Sequence, residues 1–400
     1  MFTRIYFLLL RLAAFFNHHK AKLLCKGEKE AMAQISAKIV EGAQYIWFHA
    51  ASVGEFEQGR PIIERLKEEH PEYKILLTFF SPSGYELRKN YDKADIVAYL
   101  PFATPKKASK FLDLVRPKMA IFIKYEFWPA YLRELHKRRI PTYLISAIFL
   151  KSQLFFKWYG GFYRRNLRYF DKLFVQDEAS RDLLAKYGIE NVVVSGDTRF
   201  DRVAQIASNA APIQQIEQFV AGSPTLVAGS TWSADEQLLL KYCRSHNVKL
   251  VLVPHEIHEQ HLHDIFNRFH GRFTRFTRAS MLNIDSNDVI VVDTIGMLSS
   301  IYQYATVAYI GGGFGAGIHN TLEAAVYGVP VVFGPKCKKF REALGLIECG
   351  GGASVKNYKQ LERQLDIYFE NPRQYGKLAG DYVTENLGAV EIIYNTLFNN

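Results

Sequence analysis

The chain has no uninterrupted apolar run near the roughly 20 residues that a membrane-spanning helix needs. Its most apolar segment, Ile5-Tyr6-Phe7-Leu8-Leu9-Leu10-Arg11-Leu12-Ala13-Ala14-Phe15-Phe16, is short and carries Arg11. Nor does a small-residue cleavage site follow it, as a secretory signal would require; His18, His19, Lys20 and Lys22 do. Cysteine is scarce: Cys25, Cys243, Cys337 and Cys349 are far apart and form no C-x-x-C pair. That excludes a disulfide framework or a zinc motif and suits reduced thiols in the cytoplasm. Repeats and low-complexity tracts are missing, which excludes a solenoid. No RNA- or DNA-binding signature is present, so charge alone does not point to nucleic acid. What is abundant is core-forming material: 48% of the residues are hydrophobic and 22% charged, the balance of a folded protein. The 400 residues suit roughly two to three domains.

The net charge of +10 is unevenly placed. Between Lys106 and Arg139 there are ten Lys or Arg against three acids, Asp113, Glu126 and Glu134. A second cluster, Arg164, Arg165 and Arg168, is interleaved with Tyr163, Tyr169 and Phe170. Either these are solvated faces, or they meet an anionic partner such as a phosphorylated lipid and the membrane that carries it. Arg4, Arg11, Lys20, Lys22 and Lys26 flank or interrupt the N-terminal apolar run. An anchor lying on an anionic leaflet has this composition; a helix docked on the protein's own core is the alternative.

Short β-rich runs recur along the chain with helical spacing between them. In the first half they are Tyr45–His49, Lys74–Phe79, Asp95–Tyr99, Met119–Ile123, Thr142–Ser146, Leu173–Val175 and Val192–Val194. A pause over 197–224, which holds Asn209-Ala210-Ala211-Pro212 and Gly222-Ser223-Pro224, precedes a second series. It comprises Thr225–Ala228, Lys249–Val253, Val289–Val292, Val307–Ile310 and Val329–Phe333. This alternation predicts an α/β fold of two Rossmann-like domains facing a cleft. The expected divisions are a membrane-associating segment over 1–40, an N-terminal domain over 41–205, a C-terminal domain over 206–385 and a last helix over 386–400.

Several features could carry chemistry. Tyr309-Ile310-Gly311-Gly312-Gly313-Phe314-Gly315-Ala316-Gly317 leads from a strand to a helix beginning near Asn320. Glycines allow close approach of a ligand, and exposed amides at a helix start favour anions. A dinucleotide fingerprint would also need an acid about 20 residues on. Here the next strand ends at Phe333-Gly334-Pro335, while Glu323 lies within the helix, where a carboxylate can accept both ribose hydroxyls. Tight packing is the plain alternative. Ala228-Gly229-Ser230-Thr231-Trp232 likewise joins a strand to a helix, and Lys336, Lys338 and Lys339 follow a third strand. In the first half, Glu55 and Glu126 each follow a strand. A carboxylate there can deprotonate a sugar hydroxyl, or only offset a helix dipole.

The ordered set of motifs resembles the 3-deoxy-D-manno-octulosonic acid (Kdo) transferases of the GT-B glycosyltransferase class. It consists of Ala51-Ser52-Val53-Gly54-Glu55, Tyr99-Leu100-Pro101-Phe102, Glu126-Phe127-Trp128-Pro129, Val175-Gln176, Ser195-Gly196-Asp197 with Phe200-Asp201, Ala228-Gly229-Ser230-Thr231, the glycine loop through His319-Asn320-Thr321-Leu322-Glu323, and Gly334-Pro335. The resemblance implies inverting transfer of Kdo from CMP-Kdo to a phosphorylated lipid A precursor in lipopolysaccharide synthesis. It implies no cofactor and no bound metal, and places the enzyme on the cytoplasmic face of the inner membrane. Glu55 would be the base and Glu126 would support acceptor or donor sugar, with Ser52, Gly54, Arg60 and Lys124 around the acceptor. Ser230, Thr231, His255, Gly312, Gly313, Asn320, Glu323 and Lys336 would hold CMP-Kdo.

Three departures from the family pattern stand out. Pro254-His255-Glu256 occupies the place of a Pro-Arg-His segment, Ala103-Thr104 that of an acid, and Lys339 that of an asparagine before Phe340. Other classes make different demands. A UDP-sugar GT-B transferase would share the pattern, a nicotinamide dehydrogenase would need the missing acid, and a non-catalytic membrane-surface protein would show no turnover.

Overall fold

A computed structural model describes residues 2–16, 18–268, 271–282 and 284–399. The chain forms two compact units, residues 1–202 with 387–400, and residues 203–386. Each is built on one seven-stranded, wholly parallel sheet.

In the first unit the strands are β1 (Tyr45–Ala50), β2 (Lys74–Phe79), β3 (Ile96–Tyr99), β4 (Met119–Ile123), β5 (Thr142–Ala147), β6 (Lys172–Val175) and β7 (Val192–Val194). Their order across the sheet is β3-β2-β1-β4-β5-β6-β7. Every residue of β1 is buried, as a central strand covered by helices on both faces demands. Its side chains alternate between two cores. Tyr45 and Trp47 join Leu76, Phe111, Phe122 and Tyr131, whereas Ile46 and Phe48 join Phe56, Ile62, Ile63 and Leu66. The latter four come from the helix Val53–Glu69. Burying each such side chain stabilises by about 1.5–3 kcal/mol.

The chain's last helix, Ala389–Phe398, belongs to this first unit: Ile393 and Tyr394 sit in the same core as Ile46. Asp201 caps its start, accepting Gly388 N–H at 2.9 Å and Val390 N–H at 3.3 Å. Asp197 in turn holds the Arg199 guanidinium at 2.7 Å. The Ser195-Gly196-Asp197…Asp201 motif is therefore structural in this unit.

At the other end, helix His19–Lys38 packs beside β3 and helix Phe2–Phe15 packs against His19–Lys38. Phe7 is buried and stacks on Phe102 with centroids 4.2 Å apart, while Phe15 and Phe16 are 82% and 77% exposed. One face of the first helix is thus seated and another is open. The side chains of residues 2–6 and 8, three of them in the apolar run, lie outside the described residues. Among the described residues no helix is long and apolar enough to cross a membrane.

The second unit holds β8 (Thr225–Thr231), β9 (Lys249–Pro254), β10 (Phe273–Arg275), β11 (Val289–Val291), β12 (Val307–Ile310), β13 (Val331–Phe333) and β14 (Gly352–Ser354). They run in the order β10-β11-β9-β8-β12-β13-β14. Two of these, β10 and β14, were not expected from the sequence, and both lie at sheet edges. The expected pause over 197–224 is in fact two helices, Thr198–Ser208 and Gln214–Val220, separated by the Asn-Pro stretch.

Candidate active site

In open parallel sheets a ligand site forms beyond the strand C-termini where the strand order reverses direction. That point lies between β1 and β4 in the first unit and between β8 and β12 in the second. The loops bearing Glu55, Glu126, Ser230 and the glycines leave these same four strands, while His255 follows β9 and Lys336 follows β13.

In the first unit β1 runs alongside β4, with His49 opposite Phe122. The segments 51–55 and 124–128 therefore emerge side by side. Ser52 is the N-cap of the helix Val53–Glu69, and Glu55 stands at its third position. The Glu55 carboxylate reaches back to accept Ala51 N–H at 2.7 Å and Ser52 N–H at 3.1 Å, satisfying donors that a helix start leaves unpaired. Burial pushes the Glu55 carboxyl above its ordinary value, and the neighbouring Glu126 charge adds to this; the two backbone donors and Lys124 act against it. A carboxyl held proton-hungry beside a strand end is suited to general-base work.

Glu126 is 8% exposed. Its Oε2 accepts the Trp128 indole N–H at 2.6 Å and faces His49 Nε2 at 2.9 Å. Lys124 turns the chain with a left-handed backbone, φ 66°, and lays its ammonium 5.5 Å from the Tyr125 ring centre. Gly54 is exposed, and a methyl group added there would meet nothing within 4 Å. Arg60 stands apart from this group. Five residues past Glu55 it points about 140° around the helix, and its guanidinium pairs with Glu64 at 2.6 Å and Glu57 at 3.5 Å.

In the second unit β8 ends in a register shift between Gly229 and Thr231, with Ser230 at φ 53°. Thr231 is fully buried and donates its hydroxyl to Glu236 Oε1 at 3.2 Å. The glycine loop after β12 is held by Asp235, which is 1% exposed. This carboxylate accepts Gly312 N–H at 2.9 Å, Trp232 N–H at 3.0 Å and the Tyr309 hydroxyl at 2.8 Å. Gly312 needs its positive φ of 87°. Gly313 lies against Gly334, where an added Cβ would sit 2.5 Å from the Gly334 Cα; only glycine permits that approach.

Around this loop the exposed ring of His255 lies between Trp232, 4.7 Å away, and His319, 4.6 Å away. Burial lowers the His319 pKa, and the neighbouring His255 lowers it further. Asn320 donates to Glu323 Oε1 at 3.0 Å while its own Oδ1 accepts Leu322 N–H at 3.1 Å. The helix expected to begin near Asn320 is a single turn, Leu322–Ala325, because Gly328 and Pro330 follow at once. Glu323 also borders a small cavity with Ser299, Val326 and Tyr327. The Lys336 ammonium bonds the Gly315 carbonyl, so it braces the glycine loop.

Within the first unit the structure thus gathers Ser52, Gly54, Glu55, Lys124 and Glu126, leaving Arg60 to its ion pairs. Within the second it gathers Ser230, Thr231, His255, Gly312, Gly313 and Lys336, with Asn320 and Glu323 paired beside them. Four residues that hold these groups were given no role from the sequence, although Trp128 and His319 lie within its motifs: His49, Trp128, Asp235 and His319. Asp235 did carry a signal, an acid three residues after a cap position, but ordinary helix capping gives the same one.

Comparison with known proteins bears on this arrangement. Residues 22–202 match the family described as 3-deoxy-D-manno-octulosonic-acid transferase (kdotransferase). The chain is 30% identical over 338 residues to the 3-deoxy-D-manno-octulosonic acid transferase of Aquifex aeolicus, covering 82% of this chain and 87% of that protein. It is 26% identical to the Haemophilus influenzae transferase of the same name, covering 88% and 86%. In fold it is similar to the UDP-GlcNAc 2-epimerase of Neisseria meningitidis, with a TM-score of 0.61 at 16% identity, covering 89% of this chain and all of that one. It is similar also to Acinetobacter baumannii MurG, with a TM-score of 0.56 at 13% identity over the same shares. Two parallel sheets of GT-B type, each with its polar cluster at the point of strand reversal, accompany this sequence kinship: the chain is a glycosyltransferase belonging to the 3-deoxy-D-manno-octulosonic acid transferase family.

Proposed function

We propose that this enzyme moves Kdo from CMP-Kdo to a hydroxyl of the phosphorylated lipid A precursor, lipid IVA, with inversion at the anomeric carbon. The observation that carries the reading is Glu55, a half-buried carboxyl with raised proton affinity beside a second acid at the β1/β4 reversal. Glu55 takes the proton of the acceptor hydroxyl. The hydroxyl oxygen forms a bond to the anomeric carbon, and the bond from that carbon to the phosphate oxygen breaks. Its electron pair leaves with CMP. Glu126 orients a sugar hydroxyl, and Ser52, Gly54 and Lys124 border the acceptor.

Donor contacts fall to the second unit. Ser230, Thr231, Gly312 and Gly313 offer backbone and hydroxyl groups, and Asn320 with Glu323 takes the ribose. His255, lying between Trp232 and His319, stands where the family carries arginine and provides a hydrogen-bond donor toward the phosphate. Lys336 acts through the loop it braces. The enzyme works at the anionic cytoplasmic surface of the inner membrane. Support for this comes from the open apolar face with Leu9, Leu12, Phe15 and Phe16, and from Trp158, which is 93% exposed. A basic hollow of about 440 Å³ lined by Arg164, Arg165 and Arg168 adds to it.

The test is nucleotide release. Purified enzyme given lipid IVA in detergent should liberate CMP from CMP-Kdo and no UDP from UDP-sugars. Turnover with UDP-sugars alone would move the enzyme to a different donor class.

A further inference from the structure

The groups behind Glu126 form a chain of side chains that reaches across β2, β1 and β4. His49 is fully buried near the end of β1. On one side its Nδ1 lies 2.9 Å from the Thr78 hydroxyl and 3.1 Å from the Thr78 carbonyl; on the other its Nε2 lies 2.9 Å from Glu126 Oε2. Thr78 is fixed in turn, because its hydroxyl oxygen accepts the buried Trp47 indole N–H at 2.8 Å. Trp128 Nε1 lies 2.6 Å from Glu126 Oε2 and 2.9 Å from His49 Nε2, but it has one proton to give.

One assignment satisfies every group. Trp128 and His49 Nε2 both donate to the Glu126 carboxylate. Nδ1 then accepts the Thr78 hydroxyl proton. Nε2 carries the ring proton toward Glu126. Thr78 reaches only Nδ1, so the second ring nitrogen of this fully buried imidazole finds its partner in an acid at the strand reversal.

We propose that His49 is a positioning residue for Kdo transfer: gripped by Thr78, it presents Nε2–H to Glu126 and fixes that carboxylate for its hydroxyl partner. The inference rests on the reading of Glu126 given above. With both donors on Oε2, the other oxygen, Oε1, is the one that takes a substrate hydroxyl. Misplacing a positioned group by about 1 Å can lower turnover about a hundredfold.

The experiment uses two amides that mimic different ring nitrogens. In His49→Gln the side-chain amide nitrogen reaches the place of Nε2, whereas in His49→Asn it reaches only that of Nδ1. Turnover of lipid IVA with CMP-Kdo should fall at least tenfold in His49→Asn and stay within threefold of wild type in His49→Gln. In a Glu126→Gln background His49→Asn should cost less than twofold, because the group it acts through is already altered. Equal losses in both variants that track a lowered melting temperature would overturn the proposal. So would an undiminished effect in the Glu126→Gln background.

Should either His49 variant fail to fold, nitrogen-15 histidine labelling of the folded wild type gives an independent reading. A slowly exchanging Nε2–H signal should be present and should move in Glu126→Gln; its absence or indifference overturns the assignment. Glu55→Gln is assayed alongside. Full activity there removes the base reading, while the His49 and Glu126 cycle still reports on positioning.

Discussion

Replacing Glu55 by Gln separates chemistry from structure with unusual clarity. The amide keeps an oxygen that can accept the N–H groups of Ala51 and Ser52, now held at 2.7 and 3.1 Å, so the helix start stays capped. The charge it removes is one the fold resists, since burial and Glu126 together raise the proton affinity of this carboxyl. Stability should therefore hold or rise slightly, within about 1 kcal/mol, or roughly 2–4 °C for a domain of this size. Glu55→Ala, which also deletes the acceptor, should cost about 0.5–2 kcal/mol, as loss of a cap does. Catalysis should behave in the opposite way. Loss of a general base slows a reaction by about 10²–10⁴-fold, about 3–5 kcal/mol on the barrier. The assay pairs CMP release under saturating substrate with thermal unfolding of the same preparations. Turnover of Glu55→Gln within threefold of wild type would refute the reasoning, as would a rate loss matched by a fall of many degrees in Tm.

Further outcomes follow from the same geometry. Acid should inactivate the enzyme at a pH above the usual carboxylate range, because kcat/KM requires Glu55 ionised and its pKa is raised; Glu126→Gln removes one raising cause and should move the acid limb to lower pH. In stability the sign is reversed: relative to Glu55→Gln, wild type should lose ground as pH climbs from the ordinary carboxylate value through the raised one. Gly54→Ala, with open space around the new methyl, should leave the protein as stable or up to about 1 kcal/mol more so, yet raise the KM for the lipid several-fold if acceptor passes there. Gly313→Ala forces a Cβ to 2.5 Å from Gly334 Cα and should destabilise the second unit by about 1–3 kcal/mol, with weaker CMP binding in calorimetry.

Much of this was legible because parallel sheets write themselves as buried apolar runs. The runs at Tyr45, Lys74, Met119 and Val307 stand out against polar helices, and the observed strands begin at those residues. The edge strands Phe273–Arg275 and Gly352–Ser354 did not, since three residues, most of them at least partly exposed, carry no such contrast. The loops bearing Glu55, Glu126 and the glycines could be placed because each follows a readable strand. Their supports could not. His49 meets Glu126, 77 residues later, only once β1 and β4 lie side by side, and a lone polar residue inside an apolar strand does not reveal its partner. Nor does sequence show that helical rotation sends Arg60, five residues past Glu55, to ion pairs with Glu57 and Glu64. The N-terminal run shows the limit of composition: it signals an apolar helix without saying that Phe7 turns inward against Phe102.

Mass spectrometry of the lipid after incubation with CMP-Kdo bears most directly on the central claim. Wild type should convert lipid IVA to a product heavier by whole Kdo residues, and Glu55→Gln, equally folded, should return the acceptor almost unchanged. An unmodified lipid with wild type, or equal conversion by both proteins, would contradict the account.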